Sequence, residues 1–181
     1  MILKQAETDP GHEHLIAVLV ENQPGVLARI SGMFSTRGYN IESLAVGTTH
    51  NPAISRITIA VRGDDAIIRQ IIQQLGKMVE VIRVMDMSDQ EHVERELMLA
   101  KVAADPSRRG EIMQICDIFR ARIVDVDHES LIIEVSGTLD KNEALRELFE
   151  PFGIMELTRT GRIALERGPS ILRPPDLENE Q

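Results

Sequence analysis

Apolar positions along the chain fall into two successive runs of strand and helix patterns. The first run opens with His14 to Val20 (HLIAVLV), a near-continuous apolar stretch of the kind found in a central strand. Asn22-Gln23-Pro24-Gly25 interrupts it with turn chemistry. Val26, Leu27, Ile30, Met33 and Phe34 then recur at helical spacing, and Gly38 stands where a helix C-cap would be. Asn40 to Thr49 reads as a second strand, and Asn51-Pro52 as a turn. Ile54 to Val61 is a third strand in which Ile57, Ile59 and Val61 alternate with other residues. Asp64 or Asp65 caps a second helix whose face is Ile68, Ile71, Ile72 and Leu75, and Val79 to Val84 closes the run as a fourth strand.

The second run repeats that order. Glu96 to Ala103 predicts a strand, Asp105-Pro106-Ser107 a turn, and Ile112, Ile115, Cys116 and Phe119 a helix face. Ile123 to Val126 and Leu131 to Val135 predict two more strands. Leu145, Leu148, Phe149 and Phe152 form a last helical stripe, followed by a strand at Ile154 to Leu157. Each run is thus β-α-β-β-α-β, and the repetition is of architecture more than of letters. The fold class expected is α+β: two tandem ferredoxin-like units, each an antiparallel sheet with both helices on one face. The expected boundaries are 14–87 for the first unit, 88–94 for a polar linker, 95–168 for the second unit and 169–181 for a disordered, Pro-rich and charged tail. A sheet with one uncovered apolar face pairs readily with a copy of itself, so a homodimer is expected.

Composition narrows the function. The 181 residues carry 20 Lys+Arg against 29 Asp+Glu, a net charge of −9. Residues 13–87 hold 7 basic and 7 acidic residues, so most of the excess negative charge falls after residue 87. That balance argues against nucleic acid or an anionic membrane as the partner, and 3% aromatics argue against base stacking. A single cysteine excludes an internal disulfide and a redox pair. The start MILKQAETDPGHEH has no apolar signal core, and no apolar run approaches a membrane span, so the expected location is the cytoplasm.

Catalytic chemistry is sparse. The chain has no GxSxG, GxxxxGK, GxGxxG, HExxH or CxxC motif, so no catalytic residue and no metal ligand set is assigned. His12 and His14 lack a third ligand, and His50, His92 and His128 read as solvated turn residues. Cys116 sits on an apolar helix face as a small core residue. Asp125, Asp127 and Glu129 flank a hairpin turn and read as solvated acids rather than a cation site. Met33, Met78, Met85, Met98, Met113 and Met155 fall at core positions.

One place offers binding chemistry. Asn22 to Leu27 joins the first strand to the start of the first helix, where unpaired amides and the helix dipole suit a carboxylate. Gly25 leaves those amides uncovered. Asn40, at the start of the next strand, and Asn22 can both donate and accept, as an amino acid's ammonium and carboxylate require. On spacing alone, a plain strand-to-helix turn remains the commoner reading of the same residues. The second unit has Ala121-Arg122-Ile123 in place of Gly38-Tyr39-Asn40 and lacks the Pro-Gly turn, so no site is expected there.

The stretch ENQPGVLARISGMFSTRGYNIESLAVG, Glu21 to Gly47, resembles the N-terminal ACT domain of the small, or regulatory, subunits of acetolactate synthase. Ser55-Arg56, HVERELMLAKV (92–102), FRARIVDV (119–126) and GRIALERG (161–168) extend the resemblance over roughly Leu15 to Gly168. PGVLARI alone would indicate only some ACT domain; RGYNIESL followed by ERELMLAKV and FRARIVDV resembles this family specifically. The N-terminal lead and the tail after Gly168 depart from its pattern.

The resemblance implies a non-catalytic partner of a thiamine-diphosphate-dependent catalytic subunit. Such a protein raises that subunit's activity and confers feedback inhibition by branched-chain amino acids, usually valine, in isoleucine, leucine and valine biosynthesis. Thiamine diphosphate, magnesium and FAD would belong to the catalytic chain, with no cofactor in this one. The family's effector site lies between N-terminal ACT domains of two protomers, and the matching positions are Asn22, Gly25, Val26, Leu27, Asn40 and Ile41. Two other readings share some of these features: a free-standing amino-acid sensor, and an enzyme in its own right.

Overall fold

A computed structural model describes residues 12–174 of the chain. It divides into two units, one comprising Met1–Val93 with Ala164–Gln181 and the other Glu94–Ile163.

The first unit contains β1 (His12–Glu21), α1 (Val26–Thr36), β2 (Ile41–Thr48), β3 (Ile54–Gly63), α2 (Asp65–Leu75) and β4 (Val81–Asp86). The strands form an antiparallel sheet in the order β2-β3-β1-β4, which leaves β2 at an edge. Alternate residues of β1 and β3 (Ile16, Val18 and Val20; Ile57, Ile59 and Val61) meet Val26, Ile30 and Phe34 of α1 and Ile68, Ile71 and Leu75 of α2 in one core. Burying these β-branched and aromatic side chains, at about 25 cal/mol per Å² of apolar surface, is the main force holding helices to sheet. The Asp64 side chain accepts the Ile67 amide at 2.8 Å and caps α2. Val79, expected to open the fourth strand, is 90% exposed: the chain turns through Met78, whose carbonyl accepts the Val81 amide at 3.1 Å, before β4 begins.

The second unit contains β5 (His92–Ala103), α3 (Arg109–Phe119), β6 (Arg122–Val126), β7 (Ser130–Gly137), α4 (Leu139–Phe149), a 3₁₀ turn (Glu150–Phe152) and β8 (Ile154–Arg159). Its order, β6-β7-β5-β8, repeats that of the first unit strand for strand. Met98, Ala100 and Val102 of β5 pack with Leu131, Ile133 and Val135 of β7 against Ile112, Cys116, Leu145 and Phe149. Phe152 joins this core from the 3₁₀ turn rather than from α4, because Pro151 ends the α-helical hydrogen bonding. Met113 and Met155, expected in the core, are 52% and 62% exposed. Both units are α+β, βαββαβ, with helices on one face of an antiparallel sheet.

Three features differ from the pattern read along the chain. β5 begins at His92, inside the stretch expected as a linker, so His92 is a strand residue and not a turn residue. A ninth strand, β9 (Ile163–Glu166), pairs with β5. Residues 164–174 group by their packing with the first unit. Ala164 and Leu172 pack with Leu15, Ala17, Ala60, Met85 and Met87 on the sheet face that α1 and α2 leave open. That face is therefore covered in part by the chain itself, and a wholly uncovered first sheet does not supply the argument for a dimer. Residues 169–174, expected within a disordered tail, lie along this unit without regular structure; residues 175–181 fall outside the described residues.

Candidate functional site

α1 starts without a side-chain cap. Gly25 occupies the N-cap position with φ 86°, a left-handed conformation that suits glycine, and no acidic residue stands in the first turn. The first helical bond runs from the Arg29 amide to the Gly25 carbonyl at 3.0 Å. The Val26 amide makes only a long contact, 3.5 Å, to the Gln23 carbonyl. This end of the helix thus offers N–H groups and the positive end of a dipole.

Arg29 adds a full charge to that end. Its Nη1 lies 3.3 Å from the point a β-carbon on Gly25 would occupy, and its Nη2 pairs with Glu80 at 2.7 Å. The sequence reading missed Arg29. A cation one helical turn after the glycine is a usable signal, whereas its partner Glu80 lies too far along the chain for any local pattern to join them.

The six predicted site residues are divided. Asn22 closes β1: its amide donates to the Ala53 carbonyl at 2.8 Å, and its side-chain Nδ2 to the Pro52 carbonyl at 2.8 Å. Those bonds tie the β2–β3 connection to this end of the sheet, and among the described residues no donor meets the side-chain oxygen of Asn22. Val26 is buried in the core, so only its backbone faces the turn; Leu27 is 42% exposed. Asn40 and Ile41 stand at the other end of α1. Asn40 Nδ2 donates to Glu42 at 2.8 Å, and Ile41 is half-buried beside the core. Register measures the separation: Ile41 opposes Val61, which opposes His14, while Glu21 opposes Ile54. Seven strand steps, about 23 Å, part the two groups within one chain.

Several other titratable residues are held by contacts within the fold. His14 Nδ1 lies 3.1 Å from the Ser88 hydroxyl, and among the described residues no group of three or more His, Cys, Asp or Glu is placed to hold a metal. The Asp127 and His128 carbonyls both accept from Arg109, which secures that hairpin turn. Burial pushes the Cys116 thiol up to about 11. Hydrogen bonds from Arg159 and then Arg146 hold the Glu143 carboxyl below its ordinary range. Among the described residues, no helix is long and apolar enough to cross a membrane.

Comparison with known proteins gives this geometry a family. A family model described as "AHAS small subunit-like ACT domain" matches residues 16–83, and one described as "Small subunit of acetolactate synthase" matches residues 95–168. The probable acetolactate synthase small subunit of Archaeoglobus fulgidus is 54% identical over 156 residues, covering 86% of this chain and 98% of the relative. The acetolactate synthase small subunit of Mycolicibacterium smegmatis is 48% identical over 156 residues, covering 86% and 92%. The crystal structure of the small subunit from Thermotoga maritima superposes with a TM-score of 0.80 at 41% identity, covering 88% of this chain and 99% of that one. The two matched segments together span most of the chain, and the chain belongs to the acetolactate synthase small-subunit family, its first unit an ACT domain of that family's type.

Proposed function

We propose that this protein is the regulatory subunit of acetolactate synthase. It binds the thiamine-diphosphate-dependent catalytic subunit, raises its activity and makes it sensitive to valine, without catalysing the condensation itself. Thiamine diphosphate, magnesium and FAD reside on the catalytic chain. The effector sits between the first units of two copies and is read by Asn22, Gly25, Val26, Leu27, Asn40 and Ile41.

The observation that carries the site is the separation of those residues at opposite ends of the first sheet, Asn40 and Ile41 at the start of its edge strand β2 and Asn22 at the end of β1, two strands in. One small amino acid cannot span about 23 Å. If two β2 strands pair antiparallel across a two-fold axis, the start of one strand lies beside the end of the other. Asn40 and Ile41 of one copy then approach Asn22 and Gly25 of its partner. In this arrangement the amides at the start of α1, with Arg29, take the effector carboxylate. Asn22 and Asn40, whose Nδ2 groups are engaged with Pro52 and Glu42, turn their free oxygens to the ammonium. Leu27 and Ile41 supply apolar surface for a branched side chain.

The test is reconstitution. The purified chain is added to the catalytic subunit prepared without it, and acetolactate formation is followed with and without valine. Stimulation that valine then reverses is expected, with no product from the isolated chain and pyruvate. Failure to stimulate overturns the partner assignment; stimulation indifferent to valine, leucine and isoleucine overturns the effector assignment.

A further inference from the structure

The face of the first sheet opposite α1 and α2 is covered by residues 164–174 only in part. Ala164 is buried against Leu15, Ala17 and Ala60. Toward the β2–β3 connection, sheet and covering segment part, and a cavity of about 940 Å³ lies between them. Its walls include Leu19, Ile54, Met85, Leu165, Ile171 and Leu172. Its size is that of sites that enclose small organic ligands, and a mostly apolar lining with few polar groups is their usual make-up.

Arg56 stands in the wall of this cavity. It lies opposite Leu19 and Gly47 on the neighbouring strands, on the face turned away from the helices. One guanidinium nitrogen, Nη2, donates to the Ala164 carbonyl at 2.8 Å and meets the Met87 sulfur at 3.7 Å. Nε is buried and has no hydrogen-bond partner, and among the described residues no carboxylate pairs with this cation. Burial lowers its pKa. Glu166 and Arg173 also line the cavity, so its formal charge, with Arg56, is +1. Buried polar groups are almost always satisfied, and an unpaired guanidinium beside apolar walls is expensive until an anion meets it.

We propose that this cavity binds a carboxylate with an aliphatic body, its head group pairing with Arg56 and its chain lying among Leu19, Met85 and Leu172. None of the six effector positions lines it, so the proposal stands apart from the valine site. A failure of valine regulation leaves it untouched.

The test uses the full chain and three ten-carbon probes: decanoate, decyltrimethylammonium and 1,2-decanediol. Calorimetry should show one decanoate bound per chain, at least tenfold tighter than the cation or the diol. Hydrogen exchange with decanoate present should slow in 48–56 and 164–174. Arg56→Gln should weaken decanoate at least tenfold, and Arg56→Lys should keep it within a few-fold of the unaltered protein. Equal binding of the three probes to the unaltered protein overturns the proposal, whatever Arg56→Gln does to the covering segment. So does decanoate binding that protects other segments, or that Arg56→Gln leaves unchanged.

Discussion

The Arg29 guanidinium stands over Gly25, its Nη1 3.3 Å from the point where a β-carbon would be. The glycine therefore does two things at once. It adopts φ 86°, which L side chains rarely do, and it leaves a gap between the first amides of α1 and a cation. Glu80 holds that cation in place from the turn before β4, with the pair 48% and 20% exposed. An exposed pair of this kind contributes little to stability, at most about 1 kcal/mol; its consequence is the direction in which Arg29 points.

Gly25→Asp should separate activation from feedback. Aspartate cannot cap α1 here, because a capping residue needs extended backbone and this position is left-handed. The variant should lose about 1–2 kcal/mol of stability through backbone strain. Its carboxylate would repel the effector's, but Arg29 beside it offsets part of that charge, so about a tenfold loss of valine affinity is expected. Calorimetry with valine and an inhibition curve on the reconstituted enzyme measure it. A folded variant whose curve overlays the unaltered protein's removes α1 from the effector site.

Val46→Lys should weaken self-association. Val46 lies on the edge strand β2 and is 48% exposed. Charged side chains on an edge strand oppose strand addition, and a two-fold axis would bring the two lysines near each other. Sedimentation should shift toward monomer, and valine sensitivity should fall with it if the effector site is shared between copies as proposed. An unchanged dimer that still responds to valine would place the interface elsewhere.

Arg120→Gly should stabilise the second unit. Arg120 follows α3 with φ 53°, the one described non-glycine residue at positive φ. Its amide and that of Ala121 close the helix end on the Asp117 and Cys116 carbonyls, which fixes the left-handed turn. Relieving that strain should add about 0.5–1 kcal/mol. Urea unfolding followed by a probe in the second unit should show a higher midpoint with an unchanged slope; a lower midpoint would mean the arginine side chain itself holds the turn.

Cys116 should be inert in the folded protein. Its thiol is pushed up to about 11 by burial first and by neighbouring Asp117 second. At pH 8 only about one thiol in a thousand is then ionised, against roughly a quarter of free cysteines. Dithionitrobenzoate should react slowly at pH 8 and rapidly once urea is added. Fast reaction without denaturant would show that α3 opens readily.

The paired strands and helices were legible in the sequence because burial imposes its period on the letters. Ile57, Ile59 and Val61 alternate, while Ile68, Ile71 and Leu75 recur by helical turns, and each set does face the core. The Pro-Gly turn likewise marked the start of α1, since glycine there reports a local backbone need. Asp64 reported its cap for the same reason. What no local pattern carried were relations between distant segments. Residues 169–174 read as part of a Pro-rich, charged tail, yet Leu172 lies on the first sheet together with Ala164, because a covering segment needs only a few apolar contacts and one bond from Arg56. The separation of Asn40 and Ile41 from Asn22 and Gly25 is a matter of strand register, which the letters of β2 do not encode by themselves. Local pattern alone was enough for the two βαββαβ units and for the Pro-Gly turn that opens α1. Which sheet face is covered, and the lack of a paired carboxylate at Arg56 among the described residues, depend instead on where packing brings residues 164–174 back.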